Sequence, residues 1–108
     1  MYHSLPILAA LALGLTTLAC GGAPRADLDS TFAQIQDEEA RIEHAAARGA
    51  ATDDCETRIA QCAELCDAVS SLCSVARESE DRDALLRCER AEPRCAACRA
   101  DSECGGTP

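Results

Sequence analysis

Apolar residues recur at alternating steps of four and three along three stretches of the chain, the spacing that puts side chains on one face of an α-helix. In the first stretch, Leu28, Phe32, Ile35, Ile42, Ala46 and Gly49 form a thin stripe that is interrupted at Glu39. Asp27 or Asp29 can cap its start, so the pattern predicts an amphipathic helix from Asp29 to Arg48, ending around Gly49. The second stretch carries Cys55, Ile59, Cys62, Cys66, Val69, Cys73 and Ala76, with Asp53 and Glu56 spaced as a capping box ahead of it. Leu65 and Leu72 flank this seam and are placed to receive Phe32, Ile35 and Ile42 of the first helix. The third stretch repeats the step at Ala84, Cys88, Ala91, Cys95 and Cys98. Pro93 falls inside it and predicts either a kink or a stop near Ala91 with a restart, because proline loses a backbone hydrogen bond and disfavours helix at Glu92. Arg77 to Asp83 is polar and aperiodic, which makes it the turn between the second and third helices, and Gly105-Gly106 ends the last one.

The cysteines sharpen this outline. Eight of the nine lie between Cys55 and Cys104, and Cys62, Cys66 and Cys73 follow Cys55 by 7, 11 and 18 residues. At about 100° per residue, all four share one narrow stripe. Paired from the inside outward with Cys88, Cys95, Cys98 and Cys104, their position numbers sum to 161, 161, 160 and 159. A near-constant sum describes antiparallel partners. The expected fold is all-α: an antiparallel helical hairpin over residues 51–108, Cys55 to Ala76 against Ala84 to Cys104, plus the N-terminal amphipathic helix of residues 27–50. A nested ladder would close the hairpin: Cys73 to Cys88, Cys66 to Cys95, Cys62 to Cys98 and Cys55 to Cys104. Eight cysteines allow about 105 connectivities, and the nearest competitor exchanges the middle rungs to Cys62 with Cys95 and Cys66 with Cys98. Bridged helices must approach unusually closely, and Ala60, Ala63, Ala91, Ala96 and Ala97 offer the small side chains for it. The arrangement resembles the cysteine-bridged hairpins of twin cysteine-motif mitochondrial proteins and of plant hairpin peptides. Their cysteine spacings are not reproduced here, so the resemblance implies shape and not activity.

The first nineteen residues contain no Asp, Glu, Lys or Arg, and Leu5 to Ala19 is apolar apart from Pro6, Gly14, Thr16 and Thr17. This length suits a secretory signal better than a membrane span. Thr16-Thr17-Leu18-Ala19-Cys20-Gly21-Gly22 resembles the lipobox of bacterial lipoproteins, with Thr17 where Leu is usual and His3 where the leader ordinarily carries Lys or Arg. The resemblance implies cleavage after residue 19 and a lipid on Cys20, followed by a tether over residues 20–26. No Asp follows Cys20, so the implied address is the outer membrane of a cell envelope, facing the periplasm or the exterior. Removing Cys20 from the count leaves eight cysteines for four bridges, and such bridges persist in an oxidising compartment.

Composition explains why the bridges are needed. The chain from Cys20 onward has 89 residues, of which eleven are Leu, Ile, Val or Phe, and it carries the whole formal charge of −9. That combination reads as disorder unless crosslinks intervene. All ten basic residues are Arg, which points to a GC-rich bacterial genome. The acidic balance argues against nucleic acid as a partner.

Little catalytic chemistry is legible. Cys95-Ala96-Ala97-Cys98 has the two-residue spacing of redox, zinc and c-type haem motifs, but Arg99 stands where haem attachment needs His, and no strand pattern supports a thioredoxin-like unit. Cys62, Cys66, Cys95 and Cys98 offer four thiolates for zinc as the alternative to bridges. His44 is the lone histidine beyond the leader, and Asp37-Glu38-Glu39 reads as a solvated acidic face. No Ser-His-Asp set or phosphate loop occurs. The sequence therefore predicts a protein without enzymatic activity or cofactor: a lipid-anchored scaffold or interaction module whose protein partner would meet residues 27–50. A thiolate metal or thiol-redox protein, and a secreted inhibitor-like hairpin, are the alternatives.

Overall fold

The computed structural model describes residues 22–104, with side chains from Leu28 onward. Three helices follow one another: α1 (Gly22–Ala50), α2 (Cys55–Ser79) and α3 (Arg82–Asp101). Among the described residues there is no strand. The leader and Cys20 lie outside the described residues.

Helix α1 begins at Gly22, seven residues before the expected start at Asp29, so residues 22–26 of the expected tether are helical. Pro24 does not prevent this, because in a first turn its missing N–H has no intrahelical partner to lose. Gly49 lies inside the helix rather than ending it. At the next junction the expected capping box at Asp53 and Glu56 is not what forms. Asp54 takes the N-cap in an extended conformation, and its carboxylate accepts from the Thr57 backbone N–H at 2.9 Å and from the Thr57 hydroxyl. These two bonds, the hydroxyl's first, hold the Asp54 carboxyl below its ordinary pKa.

The turn between α2 and α3 is tighter than Arg77 to Asp83: only Glu80 and Asp81 separate the helices. Glu80 closes α2 in the left-handed region at φ 54°, the usual geometry of a helix stop. Ser79 donates its hydroxyl to the Ala76 carbonyl and accepts from the Asp81 N–H, and Asp81 caps α3 by accepting from Ala84 N–H at 2.9 Å. A cap of this kind contributes about 1 kcal/mol. Beyond it α3 runs without a break through Pro93. The predicted stop near Ala91 does not occur: the bridged Cys88 and Cys95 fix the helix on both sides of an exposed proline that forfeits one hydrogen bond.

Helix α2 is the middle element, and it meets its neighbours by different means. Leu65 and Leu72 lie about 60–80° around the helix from Cys62. They enter a cluster with Ile35 and Ile42 of α1, and Val69 completes its branched aliphatic content. The α3 residues buried in the same core are Ala84, Cys88 and Ala91, none of them a large aliphatic. Helix α1 is thus attached to α2 by hydrocarbon packing, and α3 is attached to α2 mainly by sulfur. A helix covered on two sides carries apolar residues around more of its circumference than a surface helix, and α2 is long and apolar enough to cross a bilayer by length and composition alone.

Several expected core positions move outward. Phe32 is 41 % exposed, with the Arg87 guanidinium 4.7 Å above its ring, and Leu28 lies 51 % exposed. Ile59, expected in the seam, is 50 % exposed. The alanines buried beside the bridges are Ala76, Ala84 and Ala91, whereas Ala60, Ala63, Ala96 and Ala97 are exposed. The interruption of the α1 stripe at Glu39 has a tertiary meaning: its carboxylate accepts from Arg87 of α3 at 2.9 Å.

Candidate functional site

The chemically distinctive part of the molecule is the ladder between α2 and α3. Cys73 pairs with Cys88, Cys66 with Cys95, Cys62 with Cys98 and Cys55 with Cys104, in nested order. Alpha-carbon separations are 4.9 Å for the Cys73 and Cys66 rungs and 5.6 and 5.7 Å for the Cys62 and Cys55 rungs. These values fall within the reach of a disulfide. Cys95 and Cys98 do not bond to each other. Each takes a separate partner on α2, because a three-residue step on a helix points both sulfurs across the same seam.

Spacing along the ladder is uneven. Cys62 and Cys66 are one turn apart on α2 and Cys95 and Cys98 one turn apart on α3, so the two middle rungs stack directly, with Cys66 Sγ 3.8 Å from Cys98 Sγ. Cys73 and Cys55 each lie seven residues, two turns, from the nearer middle rung. The inner rung is sealed, Cys73 being 3 % and Cys88 4 % exposed, with the Glu92 carboxylate 3.3 Å from the Cys88 sulfur. Cys66, Cys95 and Cys98 are partly exposed.

Cys98 also lines a cavity of about 460 Å³ at the end of the molecule where α1 finishes, α2 starts and α3 finishes. Ala45, Gly49 and Leu65 contribute apolar lining, while Arg58 and Arg94 contribute positive charge and Asp53 and Asp101 negative charge. Arg94 pairs with Glu43 of α1. Arg58 Nε is buried without a hydrogen-bond partner.

Comparison with protein-family models, with curated proteins and with solved structures found no match for this chain. Its chemistry is therefore read from its own residues.

Those residues form a framework of ion pairs around the aliphatic core. Arg41 of α1 reaches Glu64 at 2.6 Å and Asp67 at 3.1 Å on α2, together with Glu38 on its own helix at 2.8 Å. The Glu64 hydrogen bond, then that of Asp67, raises the Arg41 pKa above its ordinary value. Arg87 bridges Asp83 and Glu39, and its pKa is raised chiefly by Asp83. Solvent screens such partly exposed pairs, and they act mainly by setting how α1 lies over the hairpin. The acidic face expected at Asp37-Glu38-Glu39 is divided: Asp37 is exposed, whereas Glu38 and Glu39 have arginine partners. His44 is exposed on α1, on the side opposite Ile35 and Ile42. The i to i+4 and i to i+3 offsets of the arginines could have indicated pairs within a helix; nothing in the linear sequence indicated those between helices.

Proposed function

We propose that this protein is a non-catalytic, lipid-anchored component of a bacterial cell envelope that serves as a small disulfide-stabilised scaffold, with α1 presenting its outer face to a protein partner. The observation that carries the reading is the division of labour at α2. One neighbour is fixed covalently at four points and the other is held by packing, which gives a rigid base carrying a helix with a free polar side. The ion pairs support a structural role for the charged side chains, since the arginines that reach across helices fasten them together. The lipobox-like segment ending at Cys20 supports the anchor, and the bridges fit an oxidising compartment. With Cys20 lipidated and few residues between it and α1, the scaffold would sit against the bilayer. An outer-membrane site facing the periplasm or the exterior is the address proposed.

Replacing Cys20 by Ser should move the protein from the membrane fraction to the soluble fraction. Recovery of the unmutated protein in the soluble fraction would reject the anchor.

The partner reading is tested on the outer face of α1. Deleting residues 27–50 would uncover Leu65 and Leu72 and create a sticky surface, so changing the charge of exposed side chains is the cleaner probe. Asp37→Arg with His44→Glu should leave the thermal midpoint within about 2 °C, as expected for exposed substitutions. The same double variant should lose any envelope protein that crosslinks to the unmutated chain. An unchanged crosslinking pattern would remove α1 as the docking element.

A further inference from the structure

We infer that the two middle rungs are a latent metal site: once reduced, Cys62, Cys66, Cys95 and Cys98 hold a zinc ion as four thiolates. Three of the four sulfurs are already grouped, and the fourth, that of Cys95, is bonded to one of them. Cys66 Sγ and Cys98 Sγ, which belong to different bridges, stand 3.8 Å apart, and the sulfurs of Cys62, Cys66 and Cys98 all lie within 4.8 Å of one another. A tetrahedral site with zinc–sulfur bonds of about 2.3 Å has sulfur–sulfur edges of about 3.8 Å. One edge of that tetrahedron is therefore present while the bridges are intact. Each bonded pair needs its sulfurs to separate by only about 2 Å more, a displacement within the range of side-chain rotation and slight parting of the helices.

The other rungs do not offer this. The seven-residue steps to Cys55 and Cys73 correspond to about 10 Å of helix rise, too far for a shared ion. The inner rung gathers Cys73, Cys88 and Glu92, which supplies two thiolates and a carboxylate already engaged by Arg77 at 3.3 Å. Access also favours the middle pair, because Cys98 opens on the 460 Å³ cavity whereas Cys73 and Cys88 are sealed. Arg58 and Arg94 line that cavity together with Asp53 and Asp101, so its lining is balanced in charge and the assignment rests on the sulfur geometry.

The chemistry balances with a dithiol reductant as co-reactant. For each rung the reductant donates two electrons and two protons; the sulfur–sulfur bond breaks to two thiols, and the reductant leaves as its own disulfide. Zinc then displaces four thiol protons to solvent. Binding thus strengthens as pH rises, because thiolate and not thiol is the ligand. This state is separate from the oxidised scaffold and depends neither on the lipid nor on a partner.

The test uses the full chain, fully reduced under anaerobic conditions and titrated with zinc against a chromophoric chelator, then with cobalt as a spectroscopic probe. Two complementary variants, both retaining Cys20, separate the sites. The chain with Cys55, Cys73, Cys88 and Cys104 changed to Ser should still take up one zinc, show the charge-transfer and ligand-field bands of tetrathiolate cobalt, and regain helical circular dichroism on metal addition. The chain with Cys62, Cys66, Cys95 and Cys98 changed to Ser should lose stoichiometric binding. Equal uptake by both variants, no uptake by the first, or a cobalt spectrum of fewer than four sulfurs would overturn the assignment. Loss of fold in the reduced state does not excuse a negative result, since zinc binding to such a site is itself a source of folding free energy.

Discussion

Reduction of the four bridges, without added metal, should abolish the cooperative fold, with far-ultraviolet circular dichroism falling to a fraction of its oxidised value at room temperature. The core explains the size of the effect. Of the thirteen buried hydrophobic residues among those described, five are Ile, Leu or Val, five are Ala and three are Cys. Five branched aliphatic side chains are a thin core for three helices, and conformational entropy opposes folding at every ordered residue. In the chain-entropy account, the Cys73–Cys88 bridge alone, with a sequence separation of 15, removes about 3 kcal/mol from the unfolded state. The outer rungs add short loops to the same closure. Helix α3 should separate first, because its contribution to the buried core is alanine and cysteine. Retention of a sharp thermal transition in the reduced, metal-free chain would show that packing suffices and would refute this account.

Leu72→Ala, with all bridges intact, should destabilise the protein by about 2–5 kcal/mol in chemical denaturation. Leu72 is 0 % exposed and lies in the cluster that joins α2 to Ile35 and Ile42 of α1. The ladder cannot compensate, since no bridge reaches α1. Hydrogen exchange should therefore show loss of protection concentrated in α1, while α2 and α3 next to the bridges stay protected. The control is Leu86→Ala, the same chemical change at a site 45 % exposed, which should fall within about 0.5 kcal/mol of the parent. If Leu72→Ala instead loosens α3 as much as α1, the division between hydrocarbon and sulfur attachment is wrong.

Both expectations rest on features that differed in how far the linear chain disclosed them. The ladder was legible because helical periodicity and the short reach of a disulfide are local constraints. Four cysteines at steps of seven, four and seven share one face of any helix, and a near-constant sum of positions leaves an antiparallel partner as the simplest closure. The turn was located by the same arithmetic, and Glu80 and Asp81 straddle the midpoint of 80.5 implied by the two inner rungs. Its tightness was not disclosed, because a stop at Ser79 depends on Glu80 adopting a left-handed conformation that its residue type does not advertise. The stop that Pro93 allowed near Ala91 does not occur, since two flanking bridges hold the helix on either side of it.

The metal-like proximity of Cys66 and Cys98 lay further from view. Their shared seam could be read from spacing, but the 3.8 Å between two separate bridges depends on how the helices settle around both. Phe32 and Ile59 show the same limit on the apolar side. Their spacing puts them on the correct stripes, yet both end up half in water.

By itself, the sequence determined the three helices, the antiparallel order of the cysteine pairs and the dependence of a core-poor chain on them, because each follows from helix geometry, bond reach or composition. That α1 lies on the leucine side of α2 was also legible, from Leu65 and Leu72 beside the cysteine seam; tertiary structure alone decided that Glu39 and Glu43 meet Arg87 and Arg94, and which end of each stripe is covered. Burial and ion pairing between helices are properties of the neighbour that arrives, and no residue carries that information in its own spacing.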